Sequence, residues 1–197
     1  MPDTGSTILI LQGHPDPAGG HLCHALADAY AEGAVAVGHK VLRLSVADLN
    51  VPLLRSQEDF LHAPPPDALA QARAALLEAR HLVVIFPLWL GGAPAALKGV
   101  LEQLLRPGFA FEYVEGGGTR ALLKGRSARV VVTMGMPEVV FRLWYLGAGL
   151  STVTRNILGL AGFAPVRGTV LGGVEAAGER RRRKWLARMT VLGRQAR

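Results

Sequence analysis

Cysteine is nearly absent from this 197-residue sequence, with Cys23 standing alone. No disulfide can form within the chain, which excludes a small cross-linked secreted scaffold and leads us to expect a reducing, cytoplasmic setting. Long apolar runs are missing as well. The longest uncharged stretch, Leu82 to Leu97, is broken by Pro87, Gly91, Gly92 and Pro94, whereas a membrane-crossing helix needs about 20 continuous apolar residues. No membrane span is expected. The opening MPDTGSTILILQG has no basic segment before its apolar run, so it does not read as a secretory leader. Repeats and low-complexity tracts are also lacking, and Pro64-Pro65-Pro66 is only a local stiff turn. The expectation is one domain over residues 1–197.

Acidic residues are scarce relative to basic ones, 15 against 22, and the net charge is +7. The excess is local. Eight of the basic residues fall in Arg180–Arg197, which holds no acid, and the remainder is close to neutral with 14 basic residues against 15 acidic. A nucleic-acid binder is expected to spread its charge as a stripe across the domain, so nucleic acid is not the expected partner.

The apolar residues alternate between two periods. Thr7 to Gln12, Lys40 to Val46, Leu82 to Phe86, Arg129 to Thr133 and Pro165 to Leu171 are short runs with the signature of strands. Between them, Leu22, Ala25, Leu26, Ala29, Tyr30 and Gly33 recur at helical spacing, as do Leu97, Val100, Leu101, Leu104 and Leu105. Asp67 to Ala79 is Ala/Leu-rich, Glu138 to Leu146 and Ser151 to Leu160 are further helical segments, and Ala176 to Leu192 is a basic closing helix with Trp185, Met189 and Leu192 facing inward. Five such alternations predict an α/β/α sandwich around a parallel sheet in the order 2-1-3-4-5. A ligand is then expected beyond the carboxyl ends of the strands, at the switch between strands 1 and 3. The loops after Gln12, Phe86 and Thr133 are therefore the ones that matter.

The first of these, Gly13-His14-Pro15-Asp16-Pro17-Ala18-Gly19-Gly20-His21-Leu22-Cys23-His24, joins a strand to a helix N-terminus. Glycines free its amides, the helix end favours an anion, and His14 and His21 add donors. It is neither a Walker A motif nor GxGxxG. A plain Gly/Pro turn with surface histidines reads equally well. The second loop, Phe86-Pro87-Leu88-Trp89-Leu90-Gly91-Gly92-Ala93-Pro94, is apolar and suited to cover one face of a planar ligand; a buried turn with a core Trp is its plainer reading. In the third, Thr133-Met134-Gly135-Met136-Pro137, Thr133 offers a hydroxyl, Gly135 a close backbone approach and the methionines soft apolar contact.

Together these loops resemble the NAD(P)H:quinone oxidoreductase (DT-diaphorase-like) family of flavodoxin-like proteins. That family includes modulators of drug activity and ancillary subunits of glutathione-gated potassium efflux. The likeness runs from Ile8 to about Gly162. It is carried by Phe86-Pro87-Leu88 through Pro94-Ala95-Ala96-Leu97-Lys98-Gly99, by Gly108-Phe109-Ala110-Phe111, by His14-Pro15 and by Thr133-Met134-Gly135. The resemblance implies a bound flavin, FMN or FAD, reduced by NAD(P)H and reoxidised by a quinone-like acceptor in a ping-pong cycle, in a homodimer with the site at the seam. It implies flavin phosphates at His14 and at His21-Leu22-Cys23, which stand where the family commonly has Ser-Phe-Asn, after a loop longer by Gly-Gly. Pro87, Leu88, Trp89 and Leu90 are then expected along the ring, with the family aromatic one residue later at Leu90, and Thr133, Met134, Gly135 and Met136 at the ring's other edge. Some members use a Tyr and a His beyond the third loop; here Tyr145 is the candidate and no His follows, so no catalytic side chain is assigned.

The remaining features have plain readings. Cys23 is expected as small packing rather than a redox thiol, and His14, His21 and His24 lack the carboxylate partner that a metal site would want. The Arg180–Lys184 run is expected as a solvated helix face, with a cofactor phosphate or an anionic surface as alternatives. Phe109, Phe111, Phe141, Leu143, Trp144 and Leu146 form an apolar set suited to core, acceptor pocket or dimer surface. Two rival functions share the loops. One is a flavin- or nucleotide-binding regulatory subunit of a partner such as a transporter. The other is a response-regulator relative, disfavoured because the strand ends carry no acidic cluster.

Overall fold

The computed structural model describes residues 5–197; the opening Met1–Thr4 of the expected single-domain span lies outside the described residues. Seven strands and seven α-helices follow in chain order: β1 (Thr7–Gln12), α1 (Leu22–Val35), β2 (Lys40–Ser45), α2 (Gln57–His62), α3 (Ala70–Glu78), β3 (His81–Pro87), α4 (Ala95–Leu104), β4 (Phe111–Tyr113), β5 (Thr119–Ala121), β6 (Ser127–Met134), α5 (Glu138–Leu143), α6 (Ala148–Ser151), β7 (Val166–Gly172) and α7 (Glu179–Arg194). Five strands form one sheet in the order β2-β1-β3-β6-β7, every pair parallel, while β4 and β5 make a separate antiparallel hairpin. With the hairpin set aside this is the predicted 2-1-3-4-5 order.

Because side chains alternate across a strand, each strand feeds two cores. Ile8, Ile10, Val83, Ile85 and Val131 pack under α1 and α7. Leu9, Leu11, Val84, Phe86, Val130 and Val132 pack on the other face, beneath α3, α4 and the segment after α6. Each such fully buried side chain contributes about 1.5–3 kcal/mol of burial, so sheet register and both helical layers are specified together. The closest approach of α1 and α7 is set by two glycines. A Cβ on Gly33 would collide with the backbone of Thr190, and one on Gly193 with the carbonyl of Tyr30.

Several boundaries differ from the periodic reading. The helix expected over Glu138–Leu146 ends at Leu143, because Leu146 and Gly147 both take left-handed φ values, +51° and +63°. The segment expected as a regular helix over Ser151–Leu160 is a π-helix over Thr152–Gly159. Its i→i+5 repeat brings the two buried residues Val153 and Leu158, five apart, onto one face. The closing helix starts at Glu179, capped by Gly178, and runs on to Arg194. Met189 is fully buried, and Trp185 and Leu192 pack beside it as expected. Among the described residues no helix is long and apolar enough to cross a membrane.

Candidate functional site

The loops after β1, β3 and β6 are tied into one rim by backbone hydrogen bonds. Gly13 N–H donates to the Ile85 carbonyl at 2.7 Å, and Leu88 N–H donates to the Thr133 carbonyl at 2.7 Å. Gly13 has no space for a side chain, since a Cβ there would stand 2.7 Å from the Leu97 side chain and 3.0 Å from the Ile85 carbonyl. The structure thus brings together His14, Cys23, Leu88 and Thr133, which the sequence scatters.

The first loop curls around the positive end of α1. Gly19 and Gly20 have φ of +73° and +75°, and a Cβ on either would meet nothing, so backbone conformation rather than packing calls for glycine. His21 is the N-cap and makes no side-chain capping bond. The amides of Leu22 and Cys23 therefore lack a partner within the helix. The Gln12 side-chain oxygen accepts from His14 N–H at 2.6 Å, which leaves Gln12 Nε2 buried with no acceptor. Turning that amide over would set a donor against His14 N–H, so rotation gives no relief. Buried donors at a helix N-terminus are satisfied by an anion.

The three histidines cluster here. His14 stacks on His21 with ring centroids 3.8 Å apart and lies 5.6 Å from His24. His14 Nδ1 accepts from Asp16 N–H at 3.2 Å, so the neutral ring carries its proton on Nε2. Burial, then the neighbouring His21 and His24, hold His14 below the ordinary imidazole range. His21 Nε2 is engaged by the Asp16 carboxylate at 2.7 Å, a bond that holds Asp16 below the usual carboxylate range. The expectation that both histidines offer free donors is therefore modified, because Nε2 of His21 is already paired. Asp16 thus supplies a carboxylate partner where none is expected for these histidines. Its signal was the Asp-Pro-Ala turn, in which its carboxylate accepts from Ala18 N–H at 2.9 Å.

In the second loop Trp89 and Gly92 exchange both backbone hydrogen bonds at 3.0 Å. The two residues between them, Leu90 and Gly91, have φ of +46° and +80°, the pattern of a tight two-residue turn. The amides of Leu90 and Gly91 bond nothing among the described residues. Pro87 and Leu88 are half-buried, Leu90 is fully exposed, and the Trp89 ring meets His14 edge-on at 5.9 Å. The turn is backed by Gly149, where a Cβ would strike the Gly91 carbonyl and the Leu88 side chain.

In the third loop Thr133 is buried and its hydroxyl lies against the Cys23 thiol. Gly135 is exposed beneath Glu175, whose carboxylate would be 3.0 Å from a Cβ at that position. Met136 is half-buried. Met134 does not project into the rim; its side chain belongs to the core under α4. Tyr145 is exposed and makes no side-chain hydrogen bond among the described residues. The apolar set divides. Phe111 and Phe141 are core, Phe109 lies under the Arg73 guanidinium at 3.8 Å, and Leu143, Trp144 and Leu146 are exposed.

Two cavities flank the rim. One of about 440 Å³ separates the first loop from the β7–α7 connection and is lined by His21, Leu22, Val174, Glu175, Arg182 and Leu186. The other, about 270 Å³, lies behind the second loop between Gly92, Lys98, Gly149 and Ile157. Arg182 belongs to the run for which a cofactor phosphate is one alternative, whereas Glu175 has no signal in the sequence; the β7 connection folding back onto the first loop brings both to the site.

Comparison with known proteins agrees with this geometry. An NAD(P)H oxidoreductase of Haemophilus influenzae, itself uncharacterized, is 28% identical over 130 residues, 64% of this chain and 63% of that protein. An FMN-dependent NADH:quinone oxidoreductase of Ruegeria pomeroyi is 35% identical over 69 residues, 35% of this chain and 34% of that protein. The matched stretches thus span less than two thirds of either relative. The NAD(P)H:quinone oxidoreductase structure from Methanothermobacter marburgensis superposes with a TM-score of 0.81 at 24% identity, covering 97% of this chain and 96% of that one. With the flavodoxin-like fold model matching residues 6–190, nearly the whole of the sheet, its helices and all three rim loops, the chain belongs to the flavodoxin-like fold family.

Proposed function

We propose that this chain is a flavin-dependent NAD(P)H oxidoreductase that passes hydride from NAD(P)H to a quinone-like acceptor. One observation carries the reading: an anion-binding helix terminus and an apolar, amide-bearing shelf are locked side by side by the Gly13–Ile85 and Leu88–Thr133 hydrogen bonds. That pairing matches a ring with a phosphate tail. When bound, a flavin supplies the hydride chemistry. The chain's own residues hold and orient. The amides of Leu22 and Cys23, with Gln12 Nε2, take phosphate oxygens. Pro87, Leu88 and Trp89 cover one ring face, and the Leu90 and Gly91 amides meet the polar ring edge. The exposed backbone of Gly135 would approach the opposite edge. The other face stays open for nicotinamide and then acceptor, which use it in turn. No protein nucleophile is required, in keeping with a rim whose ionisable groups cluster at the phosphate end.

The names of the relatives support FMN and a quinone acceptor. The cavity beyond His21, with Arg182 at its wall, also has room for the second nucleotide half of FAD. The family resemblance supports a cytoplasmic homodimer. We place its seam on the α4 side, where Lys98, Glu102, Ile157 and Leu160 rim a cavity of about 140 Å³ that reaches down to the buried Leu101 and Phe111. The test is to purify the protein, record its visible spectrum, weigh the released cofactor, and titrate with NADH or NADPH without oxygen before adding a quinone. Flavin bleaching and quinone-dependent recovery are expected. A bound flavin that neither nucleotide reduces overturns the enzyme reading in favour of a regulatory flavin module. Protein that stays colourless in excess FMN and FAD overturns both.

A further inference from the structure

The rim that carries the site ends at a corner the proposed chemistry does not use. Leu143, Trp144 and Leu146 stand there 74%, 81% and 79% exposed, in the turn that closes α5. Against the start of the same helix begins α7, with five consecutive cations, Arg180 to Lys184, in its first turns. The two features lie at opposite ends of the six-residue helix α5, about 9 Å apart along its axis. Arg181 Nη2 donates to the Gly172 carbonyl at 3.0 Å, and a Cβ on Gly172 would stand 2.5 Å from the Glu138 amide that opens α5.

Nothing in the helix itself favours this charge. The N-terminal end of a helix is its positive pole, and cations crowded there repel it and one another. Within the chain three of the five are engaged: Arg183 pairs with Glu179 at 2.6 Å, Arg181 lies over the Trp185 ring at 5.0 Å, and Arg182 donates to the Val174 carbonyl at 3.5 Å. Arg180 and Lys184 have no hydrogen-bond or ion-pair partner among the described residues and are exposed. Cations placed against the helix dipole and left without partners call for an anion from outside. The neighbouring side chains say which kind. A nucleic acid or an acidic peptide would meet the cations but leave Leu143, Trp144 and Leu146 in water. An anionic bilayer surface satisfies both groups, with phosphate headgroups for the arginines and the headgroup–acyl boundary for Trp and Leu.

We propose that this corner docks reversibly on anionic lipid membranes. Such docking goes beyond the redox reading and does not depend on it.

The experiment is flotation of the full chain with vesicles, either phosphatidylcholine alone or phosphatidylcholine with one third phosphatidylglycerol. Recovery with the phosphatidylglycerol vesicles is expected at low salt and loss of it at high salt, with binding to phosphatidylcholine at least about tenfold weaker. Reversing Arg180 and Lys184 (R180E/K184E) is expected to weaken binding about fivefold or more per cation, as follows from roughly 1 kcal/mol per basic residue near such a surface. Trp144→Ser with Leu146→Ser is expected to reduce binding while circular dichroism and Tm stay unchanged. Vesicles are also expected to blue-shift the Trp emission, less so in Trp144→Phe. Absence of binding to phosphatidylglycerol vesicles overturns the proposal, as does equal binding to both compositions. So does Trp144 already shielded from acrylamide in the free protein, which would show a second copy on this corner. RNA that displaces the vesicles and still binds the Trp144→Ser variant also overturns it. Because flotation reads no turnover, its failure is separable from failure of the redox function.

Discussion

The thiol of Cys23 lies 3.3 Å from the hydroxyl of Thr133, a contact between residues 110 positions apart. It joins the first turn of α1 to the end of β6 at the floor of the rim. Burial pushes the Cys23 thiol up to about 11, the Thr133 contact only partly opposing the rise, so the side chain is packing and the phosphate contact proposed for this residue falls to its amide. Alkylation by iodoacetamide at pH 8 is expected to be at least about two orders of magnitude slower in the folded protein than in urea, since both thiolate fraction and access are lost. Equal rates in the two states would contradict this.

Gly20 tests the anion site without testing the fold. Its φ of +75° disfavours a β-branched residue, yet a Cβ there meets nothing. Gly20→Val is expected to distort the loop and weaken FMN or FAD binding by about tenfold or more, with a loss of stability of only about 1 kcal/mol. Flavin titration beside a thermal melt checks the pair of outcomes.

The α1–α7 crossing tests the fold without testing the site. Gly193→Ala sets a methyl against the Tyr30 carbonyl, and backbone on both sides leaves little room to yield. A loss of about 3 kcal/mol is expected, read by denaturant unfolding, with any remaining folded protein keeping its flavin affinity.

Acid sensitivity is expected from the opposite edge of the sheet. His81 is buried at the start of β3, its Nδ1 2.8 Å from the Ser127 hydroxyl and its Nε2 unpaired. Burial first, then Arg129, lower its pKa to about 4. An unfolded chain takes up this proton near 6.5 and the folded chain only near 4, so stability falls as pH drops between those values and levels off below. The contribution is on the order of 3 kcal/mol. His81→Phe is expected to flatten that part of the stability–pH curve; an unchanged slope would refute it.

The family-like loops were legible because each lies directly after a strand whose apolar run is plain. The hairpin was not, because β4 and β5 have three residues each, too few for a period to show. The six-residue helix α2 escaped for the same reason. The π-helix could not be read either. Its spacing is close enough to that of an α-helix that only the packing of Val153 and Leu158 together reveals it.

Local pattern alone determined the alternation of strands and helices, hence the parallel sheet, its order and which loops lie at its carboxyl edge. Those follow from side-chain periodicity and crossover handedness, which act along the chain. Tertiary structure alone decided that Asp16 engages His21, that Met134 turns into the core, that Glu175 and Arg182 reach the rim, and that the start of α7 meets the start of α5 through Gly172. These are meetings of segments distant in sequence. They are set by how two helical layers close over one sheet, and no local period encodes them.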